Sequence, residues 1–294
     1  MTTLYTAQPH VQSLVDNGEF SLTAKDFRII ATIMRSDAGI ALQENKASLV
    51  YSRLAKRLRA LGLKSFNDYC ALVVSSTGHD EREAMIAALT TNVTRFFREP
   101  HHFEHLQTIM LPRMIANAKQ GKRVRLWSAA CSSGQEPYSM ALVLLSLLPD
   151  AVNYDIKILA TDIDATMIEL AKSGIYPPDA VSAVPLALRH RWFVPIDDGA
   201  GSMRVTDEVR AIVTFRKLNL IGDWPMHGKF DVVFCRNVVI YFDDDTQSAI
   251  WSRIAPLLDT EGVLYIGHSE RVAGPAALTL RSDGVTTYRP IKVA

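Results

Sequence analysis

The sequence predicts an α/β protein: a parallel sheet with helices on both faces, preceded by an all-helical domain and carrying a small antiparallel insertion. Three observations predict it. From Thr23 to about Leu89 apolar residues recur three and four apart with no β-branched alternation, which is the period of amphipathic helices. Beyond a linker at about Thr90–Pro100, short apolar runs alternate with helical segments, the pattern of strand–helix–strand units. Between about 176 and 218 that alternation breaks down around Pro177, Pro178 and Pro185.

Taken in order, residues 1–20 show little periodicity and read as a mobile leader or a frayed helix. Helices are expected near 23–37, 45–61, 65–75 and 79–89, with Asn45 and Thr77 as helix starts and Gly62 as a left-handed stop. The all-helical domain therefore spans 1–90, and the sheet domain 91–294. In the latter, Arg123–Ala130, Asp155–Thr161, Phe230–Cys235 and Gly262–Gly267 read as strands. Pro137–Leu148, Ala165–Ser173 and Asp244–Leu258 read as the intervening helices. The insertion, about 176–218, holds Trp192–Val194, Met203–Val205 and Ala211–Phe215 as short strands. Asp283-Gly284 between two apolar runs signals a hairpin that closes one sheet edge.

Composition excludes several classes. The 294 residues are 48% hydrophobic and 21% charged, an ordinary globular make-up of about two domains. With 32 basic and 31 acidic side chains the net charge is +1, so no global field draws the chain to nucleic acid or to a membrane surface. Cys70, Cys131 and Cys235 are far apart and lack CxxC spacing. That argues against a disulfide framework or a thiolate zinc site, and for a reducing, cytoplasmic compartment. The N-terminus lacks a signal-peptide pattern, and the apolar stretch near Met140–Leu148 is too short for a bilayer span.

Four clusters carry polar residues where an open α/β sheet binds its ligand. The first strand runs into Ser128–Ser139, a turn of small residues with a single glycine. GxGxxG and GxxxxGK[ST] are both absent, so the turn suits a cofactor without phosphate, or is simply structural. Asp162 and Asp164 follow the second strand; both could cap the helix beginning at Ala165, but Asp164 is assigned to the cap and Asp162, immediately after the strand, to ribose hydroxyls. The linker Thr90–Pro100 and the segment Cys235–Phe242 place Arg and Asn beside aromatics. A packing seam and a helix start are the plainer readings of those two.

Together, TNVTRFFREPHHF, WSAACSSGQEPYS, ATDID, FCRNVVIYF and GHSE resemble the CheR-type chemoreceptor glutamate methyltransferases, from about Phe27 to Tyr288. The resemblance implies a Rossmann-like S-adenosylmethionine-dependent methyltransferase sheet, an N-terminal helical receptor-docking domain and a β-subdomain insertion. It implies a cofactor site of Asn92, Thr94, Arg98, Glu136, Asp162, Asn219, Leu220, Arg236 and Asn237, with no metal. Arg98 and Tyr241 are the implied catalytic residues: Arg98 to hold the substrate carboxylate and Tyr241 to orient it. Cys131, Ser133 and Gln135 depart from the residues that relatives often carry in the first turn.

The implied substrate is a set of glutamate side chains on chemoreceptor cytoplasmic helices, with a receptor C-terminal peptide as a further partner of the β-subdomain. The alternatives are methylation of another protein in a chemosensory-like pathway, or a non-catalytic cofactor-sensing module. Between Asn45 and Ser65 there are six basic residues and no acidic ones. Lys46, Arg53, Lys56 and Arg59 occupy an arc beside the apolar stripe of Val50, Leu54, Leu58 and Leu61. That arc is a solvated face, or a docking face for an acidic receptor helix.

Overall fold

The computed structural model describes residues 13–292. The chain divides into two compact units, Met1–Thr90 and Thr91–Ala294.

The first unit opens with an antiparallel ribbon, β1 (Ser13–Asp16) and β2 (Ser21–Thr23). This corrects the expected leader or frayed helix for residues 13–20; the remainder of that segment lies outside the described residues. Helices α1 (Ala24–Ala38), α2 (Ala47–Leu61), α3 (Phe66–Val74) and α4 (His79–Leu89) follow. Thr23 and Asp26 cap α1 reciprocally. Gly62 ends α2 in the left-handed region at φ 67° as expected. Asn45 instead sits in a 3-10 turn, Glu44–Lys46, ahead of α2, and Gly78 rather than Thr77 precedes α4. Val50, Leu54 and Leu58 are fully buried, whereas Leu61, beside the Gly62 stop, is 40% exposed.

The second unit begins with a helical stretch that the strand–helix pattern did not reveal. It comprises α5 (Pro100–His105), a π-helical turn Leu106–Met110 and α6 (Leu111–Lys119). The sheet domain proper runs β3 (Val124–Ala129), α7 (Gln135–Leu147), β4 (Ile156–Asp162) and α8 (Ala165–Ser173). The insertion follows: β5 (Ile175–Tyr176), α9 (Pro178–Val181), α10 (Leu186–Trp192), β6 (Phe193–Pro195), β7 (Met203–Val205) and α11 (Asp207–Ala211). Its three strands form a separate antiparallel sheet in the order β5-β7-β6.

Beyond it come β8 (Val213–Lys217), β9 (Phe230–Cys235), α12 (Asp244–Ile254), β10 (Leu258–Ile266), β11 (Leu280–Gly284) and β12 (Thr287–Pro290). The central sheet has the order β11-β12-β10-β9-β3-β4-β8. Strands β10, β9, β3, β4 and β8 run parallel, and the expected C-terminal hairpin closes the β10 edge antiparallel. One strand changes place: Val213–Lys217 pairs parallel with β4, so the expected strand Ala211–Phe215 belongs to the central sheet rather than to the insertion. Val213 and Phe215 are buried and Arg216 and Lys217 exposed, as suits an outer strand of a helix-covered sheet.

The core lies around α7, which is buried from Pro137 to Leu145, and an all-round apolar helix needs that shielding. Strand β4 pairs on one side of β3 and β9 returns on the other. The crevice at such a reversal of strand order, beyond the carboxyl ends of the strands, is where open α/β sheets take their ligands.

Candidate active site at the carboxyl edge of the sheet

The turn after β3 bends through left-handed backbone at Ala130 (φ 60°), Ser132 (φ 49°) and Gly134 (φ 93°). It is pinned by the next strand end: the Ser132 amide donates to Asp162 Oδ2 at 2.7 Å, and the Asp164 amide to Oδ1 at 2.9 Å. Asp164 caps α8, accepting from the amides of Thr166 and Met167. The division of labour between the two aspartates read from the sequence therefore holds for Asp164. Asp162 is 5% exposed at the strand end. Burial raises its pKa, and the two backbone amides pull in the opposite direction. Each oxygen keeps a lone-pair direction for a further donor.

The linker seats on this turn. Asn92 donates through Nδ2 to Asp164 Oδ2 (3.1 Å), and its carbonyl accepts from Ser132 Oγ (3.1 Å). Phe96 is buried edge-on against Tyr176 and Phe193 of the insertion, and the Phe97 amide donates to Ser139 Oγ on α7 (3.0 Å). These anchors fix the segment between them, in which Thr94 is half-buried and Val93 and Arg95 are exposed. Arg98 donates from Nη1 to the Val93 carbonyl at 3.1 Å, closing the linker into a loop. Phe97 and Glu99, on either side of Arg98, both have positive φ, 52° and 58°. Of the six such non-glycine residues described, five lie at this edge: these two, Ala130, Ser132 and Asn237. Clustering of strained backbone is a mark of functional loops.

Arg236, at the end of β9, ties the pieces together. Its side chain is 1% exposed. Nη1 donates to Glu136 Oε2 at 3.1 Å and Nη2 to the Arg98 carbonyl, with Glu99 Oε2 at 3.4 Å. The rings of Phe103 and Phe234 lie 5.7 and 5.6 Å from the guanidinium carbon. Glu136, in the first turn of α7, also accepts from Ser128 Oγ at 2.7 Å. Burial raises the Glu136 pKa, against the lowering effect of Arg236 and Ser128.

Glu99 and Glu270 were not singled out in the sequence. Glu99 accepts from Asn237 Nδ2 (3.3 Å) and faces His268 Nδ1 at 3.2 Å. Burial would raise its pKa, but Arg236, His268 and Asn237 outweigh that and hold it down at about 2. Glu270, 4% exposed, accepts the backbone amides of Gly267, Asn237, Val238 and Val239. The only signal for either was its place in a quoted motif, REP for Glu99 and GHSE for Glu270. Glu99, His101 and His102 also bring three potential ligand atoms within 4.8 Å. The charge facing that group is the Arg236 guanidinium, and burial lowers the pKa of His102 to about 3, leaving it neutral.

Of the other expected site residues, Leu218 donates its amide to the Asp162 carbonyl (2.9 Å) and so brings Asn219 and Leu220 to the edge. Arg253 holds the Leu220 carbonyl at 3.0 Å. Tyr241 ends a 3-10 turn, Val239–Tyr241, four residues after Asn237. Thr94 is half-buried in the linker, with no side-chain hydrogen bond among the described residues. The structure thus joins Asn92, Asp162, Glu136, Arg236, Asn237 and Arg98 through short polar links and brings Thr94, Leu220 and Tyr241 along the backbone, while the Asn219 side chain accepts from the Ile221 amide at 3.1 Å.

The expected basic docking face divides within its own unit. Arg53 turns inward, donating from Nη1 to the carbonyls of Ala88 (3.3 Å), Leu89 (3.0 Å) and Thr90 (2.7 Å) at the end of α4. Arg59 pairs with Glu19 through two bonds of 2.9 and 2.7 Å. Lys46 and Lys56 are exposed. The free basic face is smaller than the sequence suggested.

The donor set can be tested against S-adenosylmethionine. The first turn offers no glycine-rich phosphate cradle, and Glu136 already places a carboxylate at the N-terminus of α7, where a pyrophosphate would otherwise be favoured. A strand-end carboxylate suits a ribose diol, and a cleft of carboxylates and amides suits a cationic sulfonium and an amino-acid tail. The residues fit.

Comparison with known proteins identifies the family. The model of the CheR methyltransferase all-alpha domain matches residues 25–90, and that of the CheR methyltransferase SAM binding domain matches residues 92–284. A probable chemotaxis protein methyltransferase of Rhizobium etli is 54% identical over 86% of this chain and 95% of its own. Chemotaxis protein methyltransferase 2 of Pseudomonas aeruginosa is 41% identical over 93% and 96%. The Escherichia coli chemotaxis protein methyltransferase is 40% identical over 91% of each. Among the described residues no helix is long and apolar enough to cross a membrane. With a mostly parallel sheet and these matches along nearly its whole length, the chain belongs to the CheR methyltransferase family.

Proposed function

We propose that this chain transfers the methyl group of S-adenosylmethionine to glutamate side chains on chemoreceptor cytoplasmic helices, forming glutamyl methyl esters. The observation that carries the reading is Arg98. It sits between two left-handed residues in a loop bonded to the cofactor crevice, with one guanidinium nitrogen on Val93 and further donors left for an acidic side chain. The names of the relatives support the chemoreceptor as partner.

When bound, the cofactor supplies a methyl group on a sulfonium, an electrophile already activated. A glutamate carboxylate is ionised at neutral pH, so the protein need not supply a general base. Its work is alignment and exclusion of water. Asp162 accepts the ribose hydroxyls, Asn92, Thr94, Asn219 and Leu220 line the nucleoside and tail, and Asn237 closes the far side. Arg236 and Glu136 are buried against each other and act by fixing the Arg98 backbone. Arg98 steers the substrate carboxylate, and Tyr241 orients it toward the methyl. The free lysines Lys46 and Lys56 draw an acidic receptor helix to the helical unit.

Incubation of the enzyme with methyl-labelled cofactor and receptor-containing membranes tests the reading. Base-labile label on receptor glutamates is expected. Label that resists base, or that appears only on other proteins, would overturn the substrate assignment.

A further inference from the structure

We propose that Glu270 is a positioning residue for methyl transfer: through four backbone amides its carboxylate holds the loop after β9 that presents Asn237 and Tyr241. The proposal rests on the reading of that loop as part of the transfer site.

The geometry is specific. Oε2 accepts from the amides of Gly267 (2.5 Å) and Asn237 (2.9 Å), and Oε1 from those of Val238 (2.8 Å) and Val239 (3.0 Å). Three successive amides after a strand form an anion-binding concavity. Here the anion comes from the chain itself, 31 to 33 residues downstream. With two donors on each oxygen, neither a proton added to an oxygen nor an amide nitrogen in its place can avoid facing two N–H groups. Asn237 is held at φ 57°, which directs Nδ2 to Glu99 at 3.3 Å. Gly267 completes the fit. A Cβ there would lie 2.5 Å from Asn237 Nδ2, 2.8 Å from the Asn237 nitrogen and 2.9 Å from Glu270 Oε2. The clamp and the loop are in contact with no slack, so any change in the clamp moves the loop. Tyr241 follows directly in the 3-10 turn Val239–Tyr241.

Glu270 does not itself line the crevice. A merely structural role would lower thermal stability and leave turnover per folded molecule unchanged. A positioning role predicts a split between kinetic constants. Two variants of the full chain test it: Glu270→Gln, which keeps shape but supplies donors where acceptors are needed, and Gly267→Ala, which keeps the carboxylate but presses on Asn237. In both, kcat per folded molecule should fall by about tenfold or more, with receptor KM within about threefold. S-adenosylhomocysteine affinity, read by calorimetry, should weaken because Asn237 moves. Hydrogen exchange at residues 237–239 should accelerate.

Wild-type kcat and wild-type S-adenosylhomocysteine affinity in folded Gly267→Ala would overturn the proposal, and so would the same result in Glu270→Gln. If Glu270→Gln does not fold, Gly267→Ala decides alone. Failure of the wild type to methylate receptors would count against the substrate reading only. The affinity and exchange results would still decide the role of the clamp.

Discussion

Replacing Arg53 by Ala should destabilise the helical unit rather than simply weaken receptor docking. The guanidinium closes the C-terminus of α4, where the last carbonyls lack intrahelical partners. A hydrogen bond from a charged donor contributes about 1.5–3 kcal/mol net, and a cation at a helix C-terminus about 0.3–1 kcal/mol. The side chain is only half-buried, so solvent screening keeps the total near the lower end, about 2 kcal/mol. That corresponds to roughly 30-fold faster hydrogen exchange in the last turn of α4. The measurement is exchange on the full-length protein, following peptides that cover residues 79–90, beside receptor methylation at two salt concentrations. Lys46→Ala/Lys56→Ala is the contrasting variant. It should leave exchange unchanged and raise receptor KM, by a factor that shrinks as salt shortens the Debye length below about 8–10 Å. Wild-type exchange in Arg53→Ala, together with a salt-sensitive docking defect, would refute the structural role and restore Arg53 to the docking face.

Arg98→Ala should reduce kcat severely, whereas Arg95→Ala should not. Arg95 is exposed and lines a surface cavity of about 650 Å³ with Phe103, Val143 and Leu188, and single-turnover assays would separate the two. Asp162→Ala should weaken S-adenosylhomocysteine binding by about 1.5–3 kcal/mol in calorimetry; unchanged affinity would remove Asp162 from the ribose site. Glu99→Gln should flatten part of the acid limb of stability. The folded pKa of Glu99 is depressed to about 2 from 4.5, so its contribution is full above pH 4.5 and lost as pH falls towards 2. Denaturant titrations across that window should show a shallower decline in the variant.

Periodicity revealed most of the architecture because β3, β4, β9 and the second half of β10 are rich in apolar residues and α1 and α2 have clear apolar stripes. It failed where the pattern is mixed. Residues 100–119 contain three histidines, and a π-helical turn at Leu106–Met110 shifts the helical period within the segment. Val213–Lys217 reads like its neighbours in the insertion, and only parallel pairing with β4 assigns it to the central sheet. The site shows the same contrast. Asp162 and Asn92 were legible through motif and strand-end position. Glu99 and Glu270 act on groups up to 169 residues away in sequence, and such contacts leave no local pattern. Arg53 shows the opposite failure: its helical angle suggested an outward position, but a long side chain can fold back to reach a neighbouring helix end.

The five left-handed residues at the sheet edge bear on how this enzyme can be engineered. A non-glycine residue held there costs about 1–2 kcal/mol, so a search for thermostable variants will be drawn to Ala130, Ser132 and Asn237. Glycine relieves the strain at such a position but widens the unfolded ensemble. It also frees the loop to leave the conformation that the proposed cofactor site requires. Selection for heat tolerance and selection for turnover therefore act in opposite directions on the same few residues, and stabilising changes will accumulate more readily in α1 to α4 and on the outer face of the sheet than at its carboxyl edge.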